Sequence, residues 1–239
     1  MSGRDIGLAV LVMVVWGFTF VFIRMGVEVA PPLGFSALRF LFAAIPAVFF
    51  LRPPAAPPLI VVLYGLLIGV GQFGLLFIAI RNGMPIGLTS LVIQLQAFVT
   101  VALAFFLLGE RPRPAALSGA AIALAGITLI GAARFQNAAL APFLLTIAAA
   151  CCWGAANVVG KMARKVDMMA FTIWSSLAAP LPLIALSLFF EGGALAEAVT
   201  HPSLKLAVAV LGVAYLGTIF GYGATCAVWY LASSRLHAP

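Results

Sequence analysis

The chain of 239 residues is 64% hydrophobic and only 8% charged, which leaves far too little polar surface to cover a water-soluble globule. Its net charge of +7 would suit a nucleic-acid partner in a soluble domain, but the basic residues lie between apolar runs and read as membrane topology, with no nucleic acid implied. A bilayer core of about 30 Å takes about 20 apolar residues per helix, and eight such spans are legible, at 6–26, 31–51, 59–80, 84–108, 115–133, 140–161, 168–190 and 204–231.

In span one Arg4 precedes an apolar run that reaches Ile23. That run is longer than a signal-peptide core and no clear small-residue cleavage site ends it, so a retained helix is expected. Trp16 lies about 15 Å into this span, near the midplane, although tryptophan normally collects at membrane interfaces. Arg24 ends the span, where a long cation snorkels to the headgroups or guards a cavity entrance. Span two carries Arg39, the only charge well inside a span, about 12 Å from its outer end. An intramembrane ionisable residue is a functional-site candidate. Arg39 is expected either to hold a substrate carboxylate or to bond backbone carbonyls, since no acid lies within any span.

Span three presents Gly65, Gly69, Gly71 and Gly74 as a smooth packing face, with Gln72 near its middle. Span four contains the uncharged stretch GLTSLVIQLQAFVTV, residues 87–101, which buries Gln94 and Gln96. On a regular helix the two amides point about 200° apart, so one can face a central cavity while the other meets a neighbouring helix. Ser90, one turn before Gln94, makes that face the more polar and favours Gln94 for the cavity.

Span six holds Cys151, Cys152, Trp153, Asn157 and Lys161. Neither these cysteines nor Cys226 has zinc-like or paired spacing, so they read as small apolar residues. GAANVVGKM, from Gly154 to Met162, resembles a phosphate-binding loop, but five residues rather than four separate Gly154 from Gly160 and Met162 stands where Ser or Thr would be needed. ATP is not implied. The amides of spans three, four and six both donate and accept hydrogen bonds, which suits a small zwitterion; equally, such groups can hold helices together. Pro31, Pro85, Pro142 and Pro202 stand at span entrances, where proline is tolerated.

Starting from the N-terminus, one side of the membrane receives Arg4, Arg52, Arg111, Arg113, Lys161, Arg164, Lys165 and Arg235, and the other Arg24, Arg81, Arg134 and Lys205. Eight against four places the N-terminus in the cytoplasm. Glu191 and Glu197 then fall in the outer loop between spans seven and eight.

The chain also repeats itself. VVWGFTFVFIRMG at 14–26 aligns with CCWGAANVVGKMA at 151–163, pairing Trp16 with Trp153, Gly17 with Gly154 and Arg24 with Lys161 at an offset of 137. Pro46 pairs with Pro182 at an offset of 136, and Gly65, Gly69 and Gly71 with Gly217, Gly221 and Gly223 at 152. Span one matches span six, so the unit is five helices long, and an odd unit must re-enter the membrane inverted. Inverted repeats recur in secondary transporters, with the substrate site near the midplane where the halves meet. The expected domains are residues 1–134, a first repeat of five spans, and 135–239, a second repeat of three. The counterparts of spans four and five are expected to be missing, which makes this an N-terminal portion of a ten-helix protein. As repeat equivalents, Trp16 and Trp153 either form opposite walls of a cavity or simply pack helices.

Asp5, Glu28, Glu110, Asp167, Glu191, Glu197, His201 and His237 all lie in loops or at helix ends. No carboxylate pair, metal cluster or activated nucleophile can be assembled from them, so neither an enzyme nor a metal or other cofactor is expected. Nor does any intramembrane acid or histidine suggest a proton relay.

WGFTFVFIRMG, ALRF, GQFGLLFIAIRNGMPIGLTSLVIQLQAFVTV and LLGERPRP together resemble the drug/metabolite transporter superfamily, and within it the EamA-type exporters of O-acetylserine and cysteine. The resemblance runs the length of the chain. WG, RF and GER are general to EamA proteins and specify the fold, whereas GMPIGLTSLVIQLQAF is more particular to amino-acid-metabolite exporters. It implies an all-α integral membrane protein of the ten-helix inverted-repeat fold, a multi-pass exporter of the bacterial inner membrane working by alternating access, monomeric when complete. The candidate substrate-binding residues are Trp16, Arg39, Gln72, Gln94, Gln96, Trp153 and Asn157. The alternatives are a broader exporter of drugs or aromatic metabolites, and a non-transporting membrane module that needs a partner.

Overall fold

The structure, a computed structural model, describes residues 3–112, 114–134, 139–163 and 166–220. The second half of the eighth expected span, with Gly221, Gly223 and Cys226, lies outside the described residues, as do Arg113, Arg164, Lys165, Arg235 and His237. Among the described residues every regular element is helical. In chain order these are α1 (Gly3–Val29), α2 (Pro32–Val48), α3 (Pro58–Arg81), α4 (Ile86–Leu108), α5 (Pro114–Arg134), α6 (Leu140–Met162), α7 (Met168–Phe190), α8 (Ala194–Thr200) and α9, which begins as Leu204–Leu211 and continues as Gly212–Phe220.

The first seven expected spans each find a helix, and the eighth begins at Leu204. Five stretches are long and apolar enough by themselves to cross a membrane: Val10–Val29 within α1, then α3, α4, α6 and α7. The 17-residue α2 reaches only about 25 Å at 1.5 Å per residue, the short end of what a bilayer accepts. The loop between the seventh and eighth spans contains a helix that the sequence does not announce. It is α8, with Glu197 in its first turn, followed by a bend of 102° into α9.

Local chemistry sets several helix ends. Gly109, at φ 67°, closes α4 in the left-handed region and donates its amide to Ala104 O. Asp167 caps α7, accepting from the amides of Met169 at 2.8 Å and Ala170 at 3.2 Å. Glu191, at the far end of α7, reaches back across the chain to accept from the amides of Leu33 at 2.8 Å and Gly34 at 3.1 Å. It thereby satisfies two of the free donors at the start of α2.

Besides a 3₁₀ turn at Ile93–Leu95 in α4, three of the described helices depart from regular geometry. α3 is π-helical over Leu67–Gly74 and α9 over Gly212–Phe220, the two spans that the sequence pairs through their glycines. α7 breaks between Ser176 and Pro180, where the amides of Leu177 and Ala178 bond three residues back. Opposite that break α3 comes close. A Cβ at Gly65 would lie 2.0 Å from Ser175 O and one at Gly69 2.1 Å from Ala179 Cβ, so only glycine lets these two helices meet. α6 runs through the middle. Its buried alanines Ala149 and Ala150 join a core with Ile23, Phe35 and Phe77, and Ala156 joins a second with Phe40, Tyr64 and Phe171.

Candidate functional site

Two groups of polar side chains lie inside this bundle. The first stands where α4 crosses α6. Gly154 makes the crossing tight, since a Cβ there would sit 2.6 Å from Val99 and 3.0 Å from Gln96 O. At that distance Asn157 donates from Nδ2 to Gln96 Oε1 at 2.7 Å and to Thr100 Oγ1 at 3.0 Å. Both donors of the amide are thus engaged. Thr100 in turn donates to Gln96 O at 2.7 Å along its own helix. One turn before Asn157, Trp153 stacks on Trp16 of α1 with ring centroids 5.6 Å apart and planes 13° from parallel. The repeat-equivalent tryptophans are therefore in face-to-face contact, and Trp153 packs against both main hydrophobic cores.

Gln94 is exposed, two positions before Gln96. Between them the helix tightens into a 3₁₀ turn at Ile93–Leu95, which adds about 20° per residue to the regular rotation. Of the two glutamines, then, Gln96 makes the helix-to-helix bond and Gln94 is left accessible. The Ser90 hydroxyl, on the same exposed face, donates to Gly87 O at 3.0 Å.

The second group surrounds Arg39, which is only 3% exposed. Its guanidinium carbon lies 4.0 Å from the Phe40 ring centroid and 3.7 Å from that of Phe73, so both aromatic faces stabilise the charge where water is excluded. Its NH2 nitrogen donates to Thr218 Oγ1 of α9 at 3.4 Å. Tyr64, Thr172, Ser175 and Ser176 complete a narrow recess between α2, α3, α7 and α9, with room for about one water molecule. Gln72 is buried on the π-helical stretch of α3, adjacent in sequence to the Phe73 that covers Arg39.

The structure thus joins Gln96 to Asn157 and Trp16 to Trp153, and sets Arg39 in a separate recess. The sequence reading missed Thr100, Thr218 and the hydroxyls of α7. A signal for the last was present, since Thr172, Ser175 and Ser176 recur at three- and four-residue spacing, which places them on one helical face.

Charged residues tie the helices at both ends of the bundle. Arg24 Nε and Lys205 Nζ both donate to Glu28, at 2.7 and 2.8 Å, linking α1 to α9. At the other end Lys161 Nζ donates to Glu110 at 2.6 Å, linking α6 to the residues just after α4. Arg24 and Lys161 therefore each hold a carboxylate, beyond the snorkelling expected of them. Among the described residues no group of three or more His, Cys, Asp or Glu side chains could hold a metal ion.

Helices long and apolar enough to cross a membrane, with polar side chains between them, fit a membrane transporter, and the sequence profile of the EamA-like transporter family matches residues 4–132. The chain belongs to that family. It is 40% identical over 230 residues to a "Probable amino-acid metabolite efflux pump" of Salmonella typhimurium strain LT2, covering 93% of this chain and 77% of that protein. A protein of the same name from Escherichia coli K12 is 38% identical over the same shares of the two chains. The "Uncharacterized inner membrane transporter YedA" of Escherichia coli K12 is 30% identical over 218 residues, 88% of this chain and 69% of that protein. No solved structure matches the chain.

Proposed function

We propose that this chain exports small amino-acid-like metabolites, of the class of O-acetylserine and cysteine, across the bacterial inner membrane. The observation that carries this reading is the chemistry of the interior. Amides, hydroxyls, stacked indoles and one buried guanidinium sit among membrane-crossing helices, together with 40% identity to a protein named as an amino-acid metabolite efflux pump. Neutral groups that both donate and accept suit a zwitterion. In this scheme Trp16, Trp153, Gln72, Gln94, Gln96, Asn157 and Arg39 line the route. Residues 1–134 and 135–239 are inverted repeats that rock against each other, the N-terminus is cytoplasmic and the protein works as a monomer without catalysing a reaction.

The close packing supports an occluded state, because the recess beside Arg39 is too small for a metabolite and ion pairs between helices hold both ends. The test is efflux of labelled cysteine and O-acetylserine from cells that make the chain, beside cells that make a Trp16→Ala, Asn157→Leu double variant at equal membrane level. Export by the first and not the second is expected. No export by either, nor by the chain extended by two further spans, sinks the amino-acid reading. A second reading, export of aromatic metabolites or drugs, is favoured by the stacked indoles and by the Phe40 and Phe73 rings around Arg39. Stronger competition by phenylalanine than by O-acetylserine would select it.

A further inference from the structure

We propose that the recess beside Arg39 is the subsite for the substrate's free carboxylate, and that the Thr172 hydroxyl of α7 is its second donor. This rests on the reading of the chain as an exporter of amino-acid-like metabolites and specifies which part of such a metabolite is read. The Phe40 and Phe73 rings cover the guanidinium at 4.0 and 3.7 Å. That leaves its edge, where the N–H groups point, for polar partners. At that edge one of its bonds, the one to Thr218 Oγ1, is long, 3.4 Å, at the limit for a hydrogen bond. A carboxylate there would make shorter, charge-assisted bonds in its place.

The second observation is independent of Arg39. Thr172 is 5% exposed, lines the same recess, and its Oγ1 has no hydrogen-bond partner. Buried hydroxyls in folded proteins are nearly always bonded, because leaving one unmade carries the full loss of its hydration. Its neighbours behave differently. Ser175 donates to Phe171 O and Ser176 to Thr172 O at 2.8 Å, both within their own helix. Thr172 alone of the three keeps its hydroxyl for something else.

The set of groups also chooses the sign of the ligand. A guanidinium and hydroxyls line the recess and, among the described residues, no acid does, so it favours an anionic oxygen over an ammonium group. Entry of a carboxylate needs more room than one water occupies. The break in α7 follows Ser176, and Thr218 lies on the π-helical stretch of α9. Irregular stretches of this kind are where a helix can bend.

The experiment is displacement of labelled cysteine from the purified full chain by cysteine, O-acetylserine, cysteamine and cysteine methyl ester. Cysteamine and the ester, which have no free carboxylate, are expected to compete about a hundredfold more weakly than cysteine. Thr172→Val, nearly the same shape, should weaken cysteine binding about tenfold and narrow the gap to cysteamine; Thr172→Ser should restore both. Arg39→Gln removes a buried packing element and can cost folding, so the Thr172 pair decides. If wild type binds cysteine and cysteamine equally, or Thr172→Val leaves the gap intact, the carboxylate subsite is overturned and the exporter reading stands. If wild type binds none of the four, both fall together.

Discussion

α1 and α6 carry the same tryptophan-glycine signature at an offset of 137 residues, yet they live in different surroundings. A Cβ at Gly154 would strike Val99 at 2.6 Å, whereas one at Gly17 would meet nothing within 4 Å. Met13 on α1 is 69% exposed and its counterpart on α6, Ala150, is fully buried. α6 is enclosed by α3 and α4, while α1 packs mainly on α9. The contrast teaches that a repeated motif fixes a local shape and its neighbours decide what that shape is for. In α6 the glycine admits a helix; in α1 the same glycine opens a face.

The contrast can be broken experimentally, and the largest effect should come at the glycines. Gly154→Leu is expected to destabilise the protein by about 1–3 kcal/mol through overpacking, and Gly17→Leu by close to nothing, compared by thermal unfolding in one detergent. Equal losses at both sites would mean that α1 is as enclosed as α6. Next, Asn157→Leu removes the bonds to Gln96 and Thr100 and should cost about 1–2 kcal/mol. Its aligned position on α1 is Phe20, already apolar, so α1 has no amide at that position to lose.

A smaller effect is expected from the indoles, whose stacking should give a coupling of about 0.5–1.5 kcal/mol in a Trp16→Ala, Trp153→Ala double-mutant cycle. Trp153→Ala should cost the more, because its ring touches both cores. The smallest lies at the ends. Lys161→Gln and Arg24→Gln each break a pair whose members are about half exposed, so each should lower the unfolding temperature only slightly, and less still in high salt. Arg24→Gln should be the milder, since Lys205 still holds Glu28.

Much of this was readable from the residues. Long apolar runs between prolines located the helices. The alignment paired Trp16 with Trp153 as opposite cavity walls or as helix packing, and did not announce that the two rings stack on each other. The glycines of span three announced a close approach, although not that α7 would supply the other surface. What was hidden depended on departures from regular geometry or on distant chain. Ser90 left Gln96 for a neighbouring helix, but neither the 3₁₀ turn at Ile93–Leu95 nor Asn157 as the partner could be read from a regular helix. The partners of Arg39 come from a ring 34 residues on and a hydroxyl 179 residues on. Glu191 looked like an ordinary loop acid, because its bonds to the amides of Leu33 and Gly34 cross 158 and 157 residues.

The stacked indoles also have an optical meaning. Two parallel rings 5.6 Å apart couple their electronic transitions, and the coupled pair differs in near-ultraviolet circular dichroism from two separate tryptophans. Of the four tryptophans in the chain, one more is described: Trp174, whose Nε1 donates to Leu51 O at 3.1 Å. Any motion that draws α1 away from α6 would uncouple the pair and change the spectrum without a label, so the protein carries its own gauge of the distance between these two helices.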